Sequence, residues 1–228
     1  LVNMNKNQGH ARCNATGLRF INDKKEFDYV IVMDSDGEDR PIELKELINK
    51  VLEDPNKSVV AKRIKRSEGP IFQFLYSAHK LITLVFTGKK INFGNYSCLI
   101  EKDVEKLSTK SSLWSSFSGS FKKNVKNYNE IESFRGVRYF GPSKMSLYNL
   151  LIHSFSIIAV FRYQVFLRSF LIIIILNYLK MYLGTVSIIF QIMIIIFNFI
   201  IFVVSFREKE EELINSHENL RNVEKVTH

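Results

Sequence analysis

The segment Tyr29–Pro41, YVIVMDSDGEDRP, decides the fold of this chain. It begins with the apolar run YVIVM, which has the length and β-branched content of a strand buried on both faces. The strand ends in an acidic run with one glycine, and Pro41 then opens a helical pattern that continues to Leu52. Carboxylates therefore lie where a buried strand gives way to a helix, at the edge of an α/β sheet where ligands bind.

Asp34 and Asp36 stand two residues apart in this acidic run. Two carboxylates on a turning backbone can converge on one hard cation, and Mg²⁺ and Mn²⁺ prefer oxygen ligands and keep substrate phosphates in their coordination shell. One interpretation is therefore a metal–diphosphate site. The other is a solvated acidic turn that caps the following helix, because Asp favours helix N-termini. The buried strand before the turn and the proline-led helix after it favour the metal site.

The composition divides the chain in two. Residues up to about 145 are mixed and charged, whereas residues 145–206 are mostly Ile, Phe, Leu and Val. The net charge of +9 points to an anionic membrane surface or to phosphorylated substrates. The sequence carries no nucleic-acid-binding motif, so we expect no nucleic-acid partner. The two cysteines, Cys13 and Cys98, lack the spacing of a metal site and are expected to be reduced and structural.

A basic run follows the next predicted strand, Ser58–Ala61. It contains four cations between Lys62 and Arg66. Such a run is usually a solvated edge, but here it is expected at the same carboxyl edge of a parallel sheet as Asp34. Arginine binds phosphate oxygens in bidentate fashion. Phosphate contact by Arg63 and Arg66 is therefore the favoured interpretation.

The hydrophobic half predicts membrane helices. Residues 145–164 have apolar side chains at helical spacing with Ser, Asn and His between them, which is typical of an amphipathic helix in the membrane interface. Residues 165–206 are expected to form a two-helix transmembrane hairpin with its turn at Gly184. The charge-free stretch up to Phe206 exceeds the ~20 residues needed to cross a bilayer. Residues 207–228 are predicted to form a charged cytosolic tail with partial helix.

Two further stretches bear on the site. The apolar stretch Ile71–Phe86 is either a core helix or a helix lying on the membrane, and its His79 is expected to be structural. The serine-rich stretch Ser108–Ser120 is predicted to be a loop or mobile lid, with Trp114 as an anchor.

The block VMDSDGEDRP resembles the Asp-x-Asp segment of family 2 glycosyltransferases. The resemblance is closest to their polyprenyl-phosphate branch, which is similar to dolichol-phosphate-mannose synthase. That branch often reads Asp-Ala-Asp-Leu-Gln-Asp-Pro-Pro-Glu. This chain has Gly37, Glu38 and Arg40 where the pattern has Leu, Gln and the first Pro, and it keeps Pro41 and the acid Glu43.

Three further blocks match the pattern of this family, in order, and the resemblance covers roughly residues 5–180. They consist of Asn7, Gly9, Ala15, Gly17 and Leu18; of Arg63 and Arg66; and of Arg135, Arg138, Gly141, Ser143 and Lys144. The family has a strand–loop–helix unit for the nucleotide base ahead of the first block. We therefore expect an N-terminally truncated fragment, and whether the fragment itself is active stays open. Relatives also place a carboxylate near the acceptor, where this chain has Asn92 and Asn95.

The resemblance implies an α/β fold: a GT-A-like doubly wound sheet, with its N-terminal part missing, plus C-terminal membrane-associated helices with two transmembrane spans. The predicted domains are a partial transferase domain over 1–144, an interfacial helix over 145–164, the hairpin over 165–206 and the tail over 207–228.

The implied function is that of a membrane-bound inverting glycosyltransferase, a hexosyltransferase, that moves a sugar from a nucleotide-sugar to polyprenyl phosphate. The implied location is the inner cell membrane, multi-pass, with the catalytic domain facing the cytoplasm. Family members form oligomers, so a homo-oligomer is also implied. Two alternatives stay open: transfer to a surface polysaccharide or glycan, and a non-catalytic membrane scaffold with a degenerate transferase domain.

The resemblance assigns roles to seven residues. Asp34 and Asp36 would bind Mg²⁺ or Mn²⁺ and the nucleotide, and Asp39 would face the sugar or orient the acceptor. The four basic residues would hold phosphates. They are Arg63 and Arg66 on the donor side, and Arg138 and Lys144 for the lipid phosphate near the bilayer.

Overall fold

The computed structural model describes residues 1–24, 26–65, 70–141 and 146–224. The strands are β1 (Val2–Met4), β2 (Tyr29–Val32), β3 (Val59–Lys65), β4 (Phe93–Ile100), β5 (Asn129–Phe134) and β6 (Leu220–Val223). The helices are α1 (His10–Lys24), α2 (Leu44–Glu53), α3 (Pro70–Thr87), α4 (Glu101–Ser108), α5 (Ser111–Ser115), α6 (Phe117–Asn124), α7 (Leu147–Ala159), α8 (Arg162–Tyr178), α9 (Lys180–Leu183), α10 (Thr185–Ser205) and α11 (Glu210–Ile214). Short 3₁₀ turns occur at Pro41–Glu43 and Asn215–Asn219.

Four strands form the main sheet, in the order β2-β4-β3-β5. β4 is antiparallel to both β2 and β3, and β3 is parallel to β5. The sheet is therefore mixed, and the prediction of a parallel sheet is wrong because the antiparallel β4 lies between β2 and β3. Since β2 and β3 both run opposite to β4, their carboxyl ends still lie at the same edge of the sheet.

Helices cover both faces of this sheet, as expected for an α/β domain. On one face, Val30 and Val32 pack into a core with α1, α4, α5 and α6. On the other face, Leu47 and Val51 of α2 pack against β3 and β4. The prediction that the YVIVM strand is buried on both faces is wrong, because Ile31 is 37% exposed. β2 is an edge strand of the main sheet and has a neighbouring strand on one side only. Side chains at such an edge are less completely covered than those of a central strand.

The serine-rich stretch is helical and buried rather than a loop or lid. Leu113, Trp114 and Phe117 lie in the core at helical spacing, within α5 and α6. Three of the buried serines have partners within these helices: the hydroxyls of Ser112 and Ser120 hydrogen-bond to each other at 2.8 Å, and the Ser116 hydroxyl accepts from the Gly119 N–H. The apolar spacing therefore determines the helical structure here, since Ser112, Ser116 and Ser120 can be buried with hydrogen-bond partners inside the same two helices.

The apolar helices α7, α8 and α10 pack against one another. The helical segment Thr185–Asn219, whose apolar part is α10, contains an 18-residue window with a mean hydropathy of 2.8 and is long and apolar enough to cross a membrane. α7 and α8 meet at 85° and pass the same test only as a bent pair. One candidate span is therefore found within the described residues. Gly184, with φ of +55°, forms the predicted turn between α9 and α10.

After α10 the chain returns to the α/β domain. β6 pairs with β1 in an antiparallel two-stranded sheet, and α11 packs on α5. The indole N–H of Trp114 donates to Glu212 at 2.8 Å, so the predicted anchor holds the C-terminal segment instead of a lid. The segment after α10 is thus packed against the domain that carries the acidic loop.

Candidate active site

The acidic loop, residues 33–40, joins β2 to the 3₁₀ turn that precedes α2. Its fold is set by its own side chains. The backbone N–H of Glu38 donates to Asp36 Oδ1 at 3.0 Å, and the N–H of Asp34 donates to Asp39 Oδ2 at 2.9 Å. Gly37 has φ of +92°, a conformation that glycine adopts without steric cost. The sequence Asp-Ser-Asp-Gly therefore makes a tight turn whose carboxylates stay at the end of β2.

Asp34 lies between β4 and the start of α1. The side-chain amide of Asn95 donates to Asp34 Oδ1 at 3.2 Å. Burial lowers the pKa of His10, and the nearby charge of Asp34 partly opposes this shift. Asp34 is therefore held by one neutral donor and faces an imidazole at the N-terminus of α1.

Asp36 and Glu38 face a segment that we name the arginine loop, residues 135–141. Arg138 Nη2 lies 3.0 Å from Asp36 Oδ2, and its Nε donates to Glu38 Oε1 at 2.9 Å. Partial burial lowers the pKa of Arg138, but Glu38, Asp36 and Asp34 together raise it overall. Two carboxylates of the acidic loop, Asp36 and Glu38, thus converge on one guanidinium.

The arginine loop is also fixed to the acidic loop through the backbone. The N–H of Gly136 donates to Glu38 O at 2.9 Å, and the N–H of Tyr139 donates to Asp36 O at 2.9 Å. The Tyr139 ring packs on Gly37, where a Cβ would come within 2.9 Å of it. The two loops therefore form one continuous wall of the site.

Asp39 points away from this wall and is 3% exposed. Burial is the main cause that raises the pKa of Asp39, while the N–H of Asp34 and the charge of Arg63 oppose it. Arg63 Nη2 lies 3.4 Å from Asp39 Oδ1 and packs against Gly94. Asp39 thus ties the acidic loop to the end of β3.

Glu43 fixes the start of α2 to the end of β5. Its carboxylate accepts from the Ser133 hydroxyl at 2.7 Å and from the Phe134 N–H at 3.1 Å, and it pairs with Arg40 at 3.1 Å. The Tyr96 hydroxyl donates to Arg40 O at 2.8 Å. Burial, followed by the charges of Glu43 and Asp39, raises the pKa of Tyr96 to about 12. The family's acid after the proline is therefore a structural anchor in this chain.

The oxygens at this edge of the sheet suit a hard cation. Among the described residues, no group of three His, Cys, Asp or Glu side chains would hold a metal by itself. Asp34 and Asp36 offer two carboxylates on one loop, which matches the way Mg²⁺ uses one or two protein carboxylates and completes its shell with phosphates and water. The donor set therefore fits Mg²⁺ or Mn²⁺ bound together with a diphosphate.

The structure brings together five of the seven predicted site residues. Asp34, Asp36, Asp39 and Arg63 lie at the carboxyl edge of β2 and β3, and Arg138 reaches the same edge from the arginine loop, which makes five residues around the acidic loop. Arg66 and Lys144 lie outside the described residues. A surface cleft of about 680 Å³ between α2 and β5 contains none of the predicted site residues.

Sequence reasoning missed three residues at this site. Asn95 was expected only as a missing carboxylate, yet its amide holds Asp34. His10 precedes a helix without any motif, and His153 lies in a stretch expected only to touch the membrane. The rings of His10 and His153 contact each other edge to face, with centroids 4.9 Å apart. Only the packing of α7 against the domain could reveal that contact.

The sequence model of the Glycosyl transferase family 2 matches residues 1–138. This match covers more than half of the chain, and it includes the acidic loop, β3, β4 and the arginine loop up to Arg138. The chain therefore belongs to glycosyl transferase family 2, and a glycosyltransferase acts on a sugar donor and an acceptor. A search among curated proteins finds no match to the chain.

Proposed function

We propose that this protein is a membrane-bound inverting glycosyltransferase that moves a sugar from a nucleotide-sugar to polyprenyl phosphate. One observation carries the proposal: an apolar helix contributes a side chain beside the acidic loop. His153 of α7 contacts His10, and His10 lies near Asp34. A lipid-linked acceptor has to reach the reaction centre from the membrane, and such a junction between apolar helices and the acidic loop is what it needs.

Asp34 and Asp36 would hold Mg²⁺ or Mn²⁺ against the diphosphate of the donor. The metal, when bound, supplies positive charge that stabilises the leaving diphosphate. Asn95 holds the Asp34 carboxylate in place, and Arg138 offsets the negative charge of Asp36 and Glu38. Asp39 is buried, so we assign it a positioning role: it fixes the backbone of Asp34.

In the proposed reaction, a phosphate oxygen of the acceptor attacks the anomeric carbon of the sugar. The bond from that carbon to the diphosphate oxygen breaks, and the nucleoside diphosphate leaves with the electron pair. An acceptor that is already an anion needs no general base. This agrees with amides at Asn92 and Asn95, where other members of the family have a carboxylate.

We also propose that α8 and α10 form a two-span hairpin in the inner cell membrane, with the α/β domain in the cytoplasm. The segment after α10 packs on the domain that precedes α7, so both lie on one side of the membrane. If α10 crosses, the chain must cross a second time. α8 packs along α10 and is the segment available for that crossing. The basic residues Arg162 and Arg207 flank the hairpin on the domain side, as the positive-inside rule expects.

The test is a transfer assay in native membranes. Membranes that contain the protein are incubated with radiolabelled nucleotide-sugars, polyprenyl phosphate and Mn²⁺, with and without EDTA, and label in the organic phase is counted. We expect label from one donor that disappears with EDTA. Label found only in polysaccharide would move the acceptor to a glycan, and no label with any donor would overturn the proposed activity.

A further inference from the structure

Four basic side chains from three parts of the chain interact with one another, and one of them, His10, lies near Asp34. We name them the basic cluster: His10 and Arg12 of α1, His153 of α7, and Arg207, which follows α10. The rings of His10 and His153 contact each other with their centroids 4.9 Å apart. The guanidinium carbon of Arg12 lies 5.5 Å from the centroid of the Trp114 ring. The cluster therefore joins the α/β domain to both ends of the apolar helices.

The groups that act on the pKa of His153 are all basic. Burial, followed by the charges of His10, His79, Arg63 and Arg207, lowers the pKa of His153 to about 4. Burial, followed by the charge of Arg12, also lowers the pKa of Arg207. The basic groups thus face one another, and only Tyr148 opposes the shift at Arg207.

The two arginines of the cluster lack acidic partners. In the part of the chain that the structure describes, neither Arg12 nor Arg207 forms an ion pair within 4 Å, and the Nε atoms of both are buried without a hydrogen-bond partner. The neighbouring acids are engaged elsewhere. Glu208 pairs with Arg162 at 2.7 Å, and Glu212, which lies within range of the Arg12 charge, accepts from Trp114.

Such an arrangement is unfavourable without a ligand. Removing a guanidinium from water costs free energy unless an acceptor replaces the lost hydrogen bonds, and placing two cations together adds repulsion. A phosphate group supplies both the charge and several acceptor oxygens, and arginine binds it in bidentate fashion. The geometry and charge therefore fit a phosphoanion.

The position of the cluster indicates which phosphoanion. At one end His10 lies near Asp34, and at the other end Arg207 lies two residues beyond the end of the apolar helix α10. A phosphate here would lie beside the metal–diphosphate site while its attached chain entered the apolar helices. Of the four residues predicted for phosphate, the two that the structure describes have acidic partners: Arg138 pairs with Asp36, and Arg63 pairs with Asp39.

We propose that the basic cluster binds the phosphate monoester of the lipid acceptor, with Arg207 as its main ligand. This inference rests on the proposed function, and it deepens that function by assigning the acceptor phosphate to residues outside the family's sequence blocks.

The experiment measures binding to the purified protein in detergent micelles by calorimetry. Farnesyl phosphate is the probe, farnesol is its uncharged counterpart, and inorganic phosphate and a panel of nucleoside diphosphates with Mn²⁺ complete the set. The variants are Arg207→Gln, Arg207→Lys and Arg221→Gln. Arg221 is an exposed arginine of β6 and gives a matched control. The fluorescence of Trp114, the only tryptophan, provides a second readout because Arg12 lies over its ring.

We expect the wild-type protein to prefer farnesyl phosphate over farnesol. Arg207→Gln should weaken farnesyl phosphate binding by about tenfold or more, because a hydrogen-bonded charge is lost. Arg207→Lys should recover part of the affinity, and Arg221→Gln should stay within about twofold of wild type. Binding of nucleoside diphosphates and of farnesol should be unchanged in all three variants.

The failures are distinguishable. A wild-type protein that binds farnesyl phosphate no better than farnesol would overturn the proposed lipid-phosphate function itself. If wild type prefers farnesyl phosphate and Arg207→Gln keeps the same preference, only the assignment to the basic cluster is overturned. Weaker nucleotide binding by Arg207→Gln instead would also overturn that assignment. Inorganic phosphate that competes at the same concentration as farnesyl phosphate would overturn the lipid acceptor as the ligand, because the cluster would then bind a free phosphate equally well.

Discussion

The guanidinium of Arg138 is paired with the carboxylate of Asp36, with Arg138 Nη2 3.0 Å from Asp36 Oδ2. The arginine comes from a loop about a hundred residues away in sequence, and it also binds Glu38. The positive guanidinium of Arg138 therefore lies against the Asp36 carboxylate, which we propose as a metal ligand. Arg138 and a metal ion would compete for the same carboxylate charge.

Replacing Arg138 by Gln should tighten Mn²⁺ binding by about 1.4- to fivefold, since a partly exposed ion pair is worth about 0.2–1 kcal/mol. Titration of free Mn²⁺ by electron paramagnetic resonance measures this affinity directly. The matched control is Arg135→Gln, because Arg135 pairs with Glu38 and leaves the Arg138–Asp36 pair in place. Equal Mn²⁺ affinity in wild type and Arg138→Gln would show that the arginine does not compete at Asp36.

The packing of the arginine loop depends on Gly136. A Cβ at this position would lie 2.3 Å from the carbonyl oxygen of Gly37, so Gly136→Ala should force the two loops apart. We expect a drop in transferase activity of at least about tenfold, together with faster hydrogen exchange at Tyr139. Gly17→Ala is the control, because a Cβ there meets nothing within 4 Å. Alanine in the middle of a helix is also more stable than glycine by about 0.5–1 kcal/mol, so this variant should fold normally. Normal exchange at Tyr139 in Gly136→Ala would contradict the close contact.

Asp39 should make a distinctive contribution to the pH dependence of stability. Its pKa is raised above the ordinary 3.8, mainly by burial. The contribution of this group therefore favours folding below pH 3.8 and is lost as the pH rises through the folded-state pKa. Asn does not titrate, so Asp39→Asn does not lose stability in this way. The melting temperature of the variant minus that of wild type should therefore rise as the pH rises from 3.8 through the folded-state pKa of Asp39.

Asp54→Asn provides a control of opposite sign. The hydrogen bond from Lys57 lowers the pKa of Asp54, so its contribution is present at higher pH and is lost on acidification. The melting temperature of Asp54→Asn relative to wild type should therefore fall as the pH rises. Thermal unfolding of both variants across the acidic range is the measurement. A constant or falling difference for Asp39→Asn would contradict the raised pKa of Asp39.

Local patterns in the sequence are sufficient for much of this fold. The strand before Asp34, the proline-led helix after it and the turn at Gly184 are all signalled by residues within a few positions of each other. The family itself is confirmed by the match over residues 1–138. Polyprenyl phosphate, the metal and the second span stay predictions.

The parts that the sequence did not reveal depend on contacts between distant segments. The serine-rich stretch was mistaken for a loop because Ser112 satisfies its hydroxyl through Ser120, a partner that only the folded helices bring near. The antiparallel β4 was missed because strand direction leaves no mark in composition. The contact between His10 and His153 joins residues from the two halves of the chain, and no short motif encodes it.

The position of the C-terminal segment predicts the membrane topology. Single cysteines at Lys102, Tyr182 and Glu218, all exposed, are introduced into a background without Cys13 and Cys98. A membrane-impermeant maleimide should label the cysteines at 102 and 218 from the same side of sealed vesicles, and the one at 182 from the other. Labelling of the cysteine at 218 from the side opposite to 102 would exclude the two-span hairpin.

The central claim is that Asp36 binds the metal that holds the donor diphosphate. The most direct measurement is the rate of Mn²⁺-dependent sugar transfer to polyprenyl phosphate by Asp36→Asn, with Asp54→Asn as the control that removes a carboxylate elsewhere. We predict a loss of about hundredfold or more for Asp36→Asn, with normal membrane insertion, and an unchanged rate for Asp54→Asn. Wild-type turnover by a correctly inserted Asp36→Asn would contradict the account.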